Sequence, residues 1–419
     1  MISTRRLYQE SSDLILRYRS SLRPVWDRID EIVAENQSKV LDAFIAERIS
    51  LPHMSGSTGY GYGDMGREGL DRVFARAFGG EAALVRAHWA SGTHVLCTAL
   101  KSLLRAGDGL LSVTGTPYDT LRPVLERLVD ERGVEYRETD ALTLYQEGAI
   151  GLSELEERLD AAIGPKTRVA MLQRSRGYSL RKPISITCMK DFMGIMRRKW
   201  PHVIIMVDNC YCEFVEASEP PELGATLTVG SLIKNPGGGL APTGAYIVGT
   251  KEAVERAAQE LFAPGIGTEV GSNPHGYRDF YQGLFLAPKV VGEALKGAAF
   301  AAMYFSELGF AVTPGPFEER SDIVQAVTMG SPEALSVLAR AIQSASPVDS
   351  FAAPEPWDMP GYGRQIIMAA GAFVQGASIE LSCDAPFVPP YTAYLQGGLT
   401  KEHVILACLN AGKALADTL

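Results

Sequence analysis

Residues Val203 to Gly249 carry the sequence pattern from which the fold is predicted. It reads VIIMVDNCYCEFVE, then a proline-containing turn, then ATLTVGSLIKNPGGGLAPTGAYIVG. Turn residues bound three short apolar runs in it, which favours strands of a sheet covered on both faces. The first run ends on Asp208, and the second leads through Ser231 to Lys234. Open α/β sheets bind ligands at the carboxyl ends of their strands, so this stretch predicts a binding site.

Asp208 and Lys234 are the candidate reactive groups of this site. Burial in an apolar setting is expected to lower the pKa of a lysine, which makes it a usable amine nucleophile. A pyridoxal phosphate site needs a lysine that forms a Schiff base and an acid that keeps the pyridine nitrogen protonated. Taken singly, the acid also fits a turn cap and the lysine a solvated side chain. The ordered set, with Ser231 and a run of three glycines, favours a pyridoxal phosphate site.

The composition bounds the class of protein. A chain of 419 residues is long enough for two domains, and 46% hydrophobic with 21% charged residues is ordinary for a soluble protein. The net charge of −9 argues against a nucleic-acid or anionic-membrane partner. No signal peptide or membrane-length apolar run is visible, and the cysteines are scattered. We therefore expect a cytoplasmic protein with reduced thiols that binds neither nucleic acid nor an anionic membrane.

A metal site is the least supported alternative. If the strand continued past Asp208, alternation would place Asp208, Cys210 and Cys212 on one face. However, no CxxC pair or neighbouring histidine completes a set of four ligands. We predict no metal.

The chain divides into three predicted regions. Residues 1–50 carry a helical pattern, with a break expected at Pro24, and such an arm is often used to clasp a neighbouring subunit. Residues 51–285 alternate strand and helix patterns, which predicts a mostly parallel, doubly wound α/β sheet. Residues 286–419 form a smaller α+β C-terminal domain, entered through a connector helix at about 283–308. Its predicted strands are 310–313, 323–328 and 377–381.

The loop from His53 to Gly66 is rich in glycine and tyrosine. It contains a literal G-x-G-x-x-G, but no hydrophobic strand precedes it, so we reject a dinucleotide-binding fingerprint. We interpret it as a mobile or inter-subunit loop that presents Tyr60 and Tyr62. Together with the N-terminal arm, it predicts a homodimer or homotetramer whose active site is shared between subunits.

A second loop precedes an amphipathic helix at residues 91–94, SGTH. Small residues at a helix start leave free N–H groups at the positive end of the dipole, where phosphate binds. A plain Ser or Thr N-cap is an equally good interpretation of this segment alone.

Several motifs together resemble the methionine gamma-lyase-like "aluminium resistance" family. They are SGTH at 91–94, GTPYDTL at 115–121, VDNCYCEFVE at 207–216, GSLIKNPGGGLAPTGAYIVG at 230–249, ASIELSCD at 377–384 and PYTAYLQGGLT at 390–400. That family belongs to the fold type I pyridoxal phosphate enzymes and is related to the cystathionine lyases. The match spans roughly residues 50–410.

The resemblance implies a role for individual residues. Lys234 would form the Schiff base, and Tyr118 would stack on the ring. Tyr118 or Tyr62 would protonate the leaving group. The implied cofactor-binding set is Ser91, Gly92, Thr93, His94, Tyr118, Asp208, Tyr211, Ser231, Lys234, Tyr60, Tyr62, Arg67 and Gly267.

The chain departs from the family pattern in two places. Related lyases grip the phosphate with a Tyr-x-Arg loop, but the residue two after Tyr62 is Asp64, so Arg67 is the nearest basic substitute. Family members tend to show an arginine where this chain has Val388. Candidates for binding the substrate carboxylate, which favours a bidentate guanidinium, are Arg364, Arg174 and Arg176.

The resemblance implies elimination of a β or γ substituent, such as a thiolate, from an amino acid bound to the cofactor as an external aldimine. The freed amine of Lys234 would act as general base on Cα–H. The alternatives are another fold type I enzyme, namely an aminotransferase, desulfurase or aldolase, or a non-catalytic protein that binds the cofactor.

Overall fold

A computed structural model describes residues 4–418. The ends of the first and last predicted regions, residues 1–3 and 419, lie outside the described residues. The helices are α1 (Thr4–Glu10), α2 (Ser12–Ala46), α3 (Met65–Ala77), α4 (Gly92–Leu103), α5 (Arg122–Arg132), α6 (Ala141–Gln146), α7 (Leu152–Ala162), α8 (Ile186–Lys199), α9 (Pro220–Leu223), α10 (Lys251–Leu261), α11 (Arg278–Glu307), α12 (Pro332–Ser344) and α13 (Lys401–Thr418). The strands are β1 (Ala82–Arg86), β2 (Gly109–Ser112), β3 (Glu135–Glu138), β4 (Thr167–Gln173), β5 (Ile204–Asp208), β6 (Leu227–Ser231), β7 (Ala245–Gly249), β8 (Ala311–Thr313), β9 (Val324–Thr328), β10 (Trp357–Asp358), β11 (Gln365–Ala369), β12 (Ser382–Pro386) and β13 (Thr392–Gln396).

The larger sheet has seven strands in the order β1-β7-β6-β5-β4-β2-β3. The pairs from β6 through β3 are parallel, and β7 runs antiparallel to both of its neighbours. Strands β6 and β7 are buried along their whole length and β4 and β5 along most of theirs, as expected for a sheet with helices on both faces. The prediction of a mostly parallel α/β sheet is confirmed.

The second sheet has six strands in the order β10-β11-β12-β13-β9-β8, and all of its pairs are antiparallel. Together with α12 and α13 it makes the smaller α+β region that the sequence predicts. Helix α11 lies between the two sheets in sequence, where the connector helix is expected. The domain boundaries themselves stay a prediction.

Helix α2 runs unbroken through Pro24, so the predicted break there is wrong. A proline inside a helix costs about 3 kcal/mol, but packing can hold the helix together. The buried stripe of α2, which includes Ile15, Tyr18 and Leu22, belongs to the same core cluster as α11. The inner face of the N-terminal arm is therefore covered by its own chain.

One predicted strand of the smaller region is displaced. Residues 377–381 form a buried turn, and the strand follows it as β12. Ala377, Ile379 and Leu381 are buried, so their apolar character reflects the core and not a strand. The carbonyl of Ile379 accepts the N–H of Gly398 outside any strand ladder.

All six cysteines lie in the described part of the chain and are free thiols. Cys383 is buried on β12. Over residues 4–418, no helix is both long and apolar enough to cross a membrane.

Candidate active site

A cavity of about 290 Å³ opens at the carboxyl ends of the central strands. Three of these strands end on polar residues, Gln173 on β4, Asp208 on β5 and Ser231 on β6. The cavity is lined by Gly92, Thr93, Tyr118, Asp119, Thr120, Gln173, Ser175, Gly177, Tyr178, Asp208, Cys210, Tyr211, Lys234 and Tyr362. Asp208 and Lys234 thus face one cavity, as the predicted site requires.

Asp208 is the last residue of β5 and is 6% exposed. Its Oδ1 accepts the N–H of Cys210 at 3.1 Å, which turns the chain sharply after the strand. Burial raises the pKa of the carboxyl, and the charge of Lys234 opposes that rise. The turn also ends the strand alternation, so Cys210 and Cys212 do not continue it. Among residues 4–418, no group of three or more metal-binding side chains is arranged to hold a metal ion.

Lys234 follows β6 and lies deep in the cavity. Burial alone would lower the pKa of its amine, but Cys210, Tyr211 and Asp208 outweigh burial and hold that pKa well above its usual range. The expectation of a lowered pKa is therefore wrong, because the amine faces the side chains of Cys210, Tyr211 and Asp208 and not only apolar groups. Its Nζ lies 3.9 Å from the centroid of the Tyr211 ring.

The N-terminus of α4 forms one wall of the cavity. A Cβ added to Gly92 would lie 3.6 Å from the Sγ of Cys210 and 3.8 Å from the Cβ of Ser231, so helix start, turn and strand end converge there. Ser91 is the N-cap, and its Oγ accepts the N–H of His94 at 3.1 Å. The N-cap interpretation is confirmed for Ser91, which together with His94 lies outside the cavity lining. Gly92 and Thr93 line the cavity, and phosphate binding by them stays a prediction.

Tyr118 lines the cavity and precedes α5 in sequence. Its hydroxyl and the Oγ1 of Thr93 are 3.1 Å apart, and its N–H donates to the Oε1 of Gln173 at 3.0 Å. Burial, and then the charge of Asp208, raise the pKa of its phenol. The hydroxyl therefore keeps its proton at neutral pH.

The tyrosines of the glycine-tyrosine loop do not line the cavity of their own chain. Tyr60 and Tyr62 are 70% and 68% exposed, and neither lines the cavity. Arg67 is buried, donates to the carbonyl of Gly61 at 2.7 Å and pairs with Glu68. Its guanidinium thus holds the loop from inside and does not line the cavity of its own chain, and a phosphate contact by Arg67 stays a prediction. Gly267, in the other glycine-rich loop, also lies outside the lining.

Of the three candidate arginines, only Arg364 is near the mouth of the cavity. Arg174 is fully buried, and its guanidinium donates to the carbonyl of Ile184 and the Oδ1 of Asn209 and pairs with Glu216. Arg176 is buried against Asp322 and the carbonyl of Thr313. Both are structural arginines, which corrects our expectation of substrate contact.

Arg364 is 41% exposed in its side chain, and its Nη2 lies 3.2 Å from the Oδ2 of Asp119. It shares an outer recess with Val388 and Tyr362, and Asp119 and Tyr362 also line the main cavity. Arg364 therefore stands beside the position where the family pattern expects an arginine.

Several residues of the site were missed from the sequence, among them Gln173, Tyr178 and Tyr362 of the lining, and Asp384, which contacts Tyr178. The hydroxyl of Tyr178 donates to the Oδ2 of Asp384 at 2.9 Å. The rings of Tyr178 and Tyr362 stack with their centroids 6.0 Å apart. Gln173 ends a central strand, so the rule that found Asp208 could also have found it. Tyr178 and Tyr362 belong to loops, and Asp384 to the second sheet, so only tertiary packing brings them here.

Comparison with known proteins places the whole chain. The family model described as methionine gamma-lyase matches residues 11–416. The uncharacterised protein YnbB of Bacillus subtilis is 44% identical over 396 residues, covering 93% of this chain and 92% of that protein.

Solved structures agree with this placement. A carbon-sulfur lyase involved in aluminum resistance from Clostridium novyi NT has a TM-score of 0.89 and 42% identity, covering 98% of this chain and 99% of that one. The pyridoxal-5'-phosphate dependent protein YhfS of Escherichia coli, at 18% identity and a TM-score of 0.60, covers 93% of this chain and 97% of that one and shares its fold. On the extent of the family match and of the Bacillus relative, the chain belongs to the methionine gamma-lyase family.

Proposed function

We propose that this protein is a pyridoxal phosphate-dependent carbon–sulfur lyase that acts on a sulfur-containing amino acid. The observation that carries the proposal is that Lys234, Asp208, Tyr118 and the start of α4 line one cavity at the carboxyl ends of the sheet. The names of its relatives support the reaction class.

The residues present fit the cofactor. Gly92 and Thr93 begin α4, where the first N–H groups of a helix lack intrahelical acceptors and attract a phosphate. With Ser231 beside them, they would hold the phosphate group. Asp208 would hold the ring nitrogen, the ring of Tyr118 would lie against the cofactor, and Lys234 would bind it covalently. When bound, the cofactor supplies an electron sink that acidifies the Cα–H of the amino acid.

The chain's own side chains would then handle protons and orientation. The amine of Lys234, once free, would take the proton from Cα. Tyr118 keeps its phenolic proton and so would serve as the donor to the departing thiolate. Arg364, at the mouth, would bind the substrate carboxylate through its fork of N–H donors.

We also propose that two copies share each site. Tyr60 and Tyr62 are exposed on a loop that is anchored at Asp64, whose Oδ2 accepts the hydroxyl of Tyr277 at 2.7 Å. A loop held at its base with aromatic tips in solvent suits insertion into a neighbouring chain. Tyr62 of a partner subunit would then complete the site.

The absorption spectrum of the purified protein tests the cofactor, and product analysis tests the reaction. We expect a visible band in the wild type that disappears in Lys234→Ala. We also expect release of thiol, ammonia and keto acid from methionine, cystathionine, homocysteine or cysteine. A keto acid released without thiol or ammonia would indicate an aminotransferase. A visible band that survives in Lys234→Ala would refute the assignment of the lysine.

A further inference from the structure

The turn after β5 puts Tyr211 in a backbone conformation that tyrosine rarely adopts. Its φ is +73°, in the left-handed region that favours glycine and asparagine. The turn is held on both sides: Asp208 accepts the N–H of Cys210, and the carbonyl of Tyr211 accepts the N–H of Ile323 at 3.1 Å. Such strain persists only where the surroundings impose it, and it is concentrated at functional sites.

This conformation directs the ring of Tyr211 at Lys234. The Nζ of Lys234 lies 3.9 Å from the ring centroid, well inside the roughly 6 Å over which a cation and an aromatic face attract. The two residues come from different strands' ends, and both line the main cavity. The contact is therefore made by the fold and not by neighbours in sequence.

A packing role alone is the competing explanation. Tyr211 is half-buried and packs against a small cluster that contains Val324, Ala326 and Tyr394. Packing requires an apolar side chain of suitable size, and it is indifferent to the charge distribution of the ring. An aromatic face, in contrast, carries negative potential that favours a positive nitrogen and fixes where that nitrogen sits.

We propose that Tyr211 is a positioning residue for Lys234: the face of its ring fixes the amine in the cavity and stabilises positive charge on its nitrogen. The inference rests on the proposed function, because the same nitrogen would carry the cofactor. Without cofactor the ring holds the ammonium of Lys234. With pyridoxal phosphate bound to Lys234, the same ring face would favour a proton on that nitrogen.

The first test uses the cofactor-free, full-length protein. An aromatic ring shifts the NMR signals of groups above its face upfield, so the ε-methylene signal of Lys234 should be upfield in ¹³C-lysine-labelled wild type and in Tyr211→Phe. It should return to the ordinary position in Tyr211→Leu. The signal is assigned by its loss in Lys234→Ala. An ordinary position in the wild type would overturn the proposal, whether or not the protein binds pyridoxal phosphate.

The second test is a visible-absorbance pH titration of the protein loaded with pyridoxal phosphate. Loss of the cation–aromatic contact in Tyr211→Leu should weaken proton binding at the Schiff-base nitrogen by about two- to thirtyfold. Tyr211→Phe keeps the ring and should stay within about twofold of the wild type. If Tyr211→Phe weakened proton binding as much as Tyr211→Leu, the effect would belong to the hydroxyl of Tyr211, and the role of the ring face would be refuted.

Fluorinated phenylalanines at position 211 remove the dependence on the folding of the leucine variant. Each added fluorine weakens the negative face and leaves the shape of the ring nearly unchanged. Proton binding should therefore weaken stepwise along the series, and a flat series contradicts the proposal. If no visible band forms on adding pyridoxal phosphate, the proposed function fails, and the NMR test still decides the contact between Tyr211 and Lys234.

Discussion

Lys234 shows how one residue's surroundings reverse a simple expectation. Its pKa is held well above the usual range, so most of the amine is protonated at neutral pH. Capture of pyridoxal phosphate needs the neutral amine, and the neutral fraction grows about tenfold per pH unit below the pKa. We expect the capture rate of the cofactor-free protein to rise steadily from pH 7 to 9, followed by visible absorbance. A plateau below pH 9 would show that the pKa is lowered instead, and Lys234→Ala, the control, should capture none.

The residues of the site differ in whether the sequence alone can identify them. Asp208 and Lys234 could be predicted because each follows an apolar run in sequence, and the carboxyl ends of such strands meet. The pair of Tyr178 and Asp384 could not, because their contact joins a loop of one sheet region to a strand of the other. The burial of Arg174 could not be predicted either, because the local sequence does not show whether an arginine binds a substrate or a backbone carbonyl.

The turn that follows β5 also carries a buried acid, Glu213. Burial raises its pKa to about 8, and its Oε1 accepts the hydroxyl of Tyr246 at 2.9 Å. Between the ordinary value of 4.5 and 8, the folded protein keeps a proton that the unfolded chain releases. Stability from this group is therefore present at low pH and is lost as pH rises through that window, by a few kcal/mol at most.

Glu213→Gln should flatten this dependence, because the amide oxygen still accepts from Tyr246 and cannot ionise. The free energy of unfolding, measured by urea denaturation at pH 5.5, 7 and 8.5, should fall less with pH in the variant than in the wild type. Glu157→Gln, on the exposed face of α7, is the matched control and should follow the wild type. Equal slopes in all three proteins would contradict the buried-acid explanation.

Helix α2 contains Pro24, a residue that disfavours a helix interior, and tertiary packing holds the helix together. Pro24 is exposed within the helix and lacks the N–H that would continue the ladder. Pro24→Ala should raise the free energy of unfolding by about 1–3 kcal/mol in urea denaturation. Pro288→Ala in α11 is the control: Pro288 is buried, so lost packing should reduce or cancel its gain. No gain in Pro24→Ala would mean that the helix has already adapted to the proline.

Among the elements, the parallel sheet was easier to predict than the antiparallel one. Strands β2, β4, β5 and β6 each contain a short apolar run between turn residues or helix patterns, whereas the edge strand β3 is polar. In the smaller region, the apolar run at 377–381 packs as a turn, and β11 and β13 lack a signal strong enough to name them. Their pairing is set by long-range ladders, with β13 joining β12 to β9. Local patterns do not contain that information.

For the whole molecule, the exposure of Tyr62 predicts that the working unit holds more than one chain. If Tyr62 serves a partner's site, Lys234→Ala and Tyr62→Ala chains should complement each other, because a mixed dimer has one site with both residues intact. Each variant alone should have little lyase activity, and a refolded equal mixture should recover up to about a quarter of the wild-type rate. If Tyr62 served its own chain, neither site of a mixed dimer would be intact and the mixture would gain nothing. Tyr8→Ala, an exposed tyrosine on α1 distant in sequence from the loop, is the control and should leave the rate unchanged.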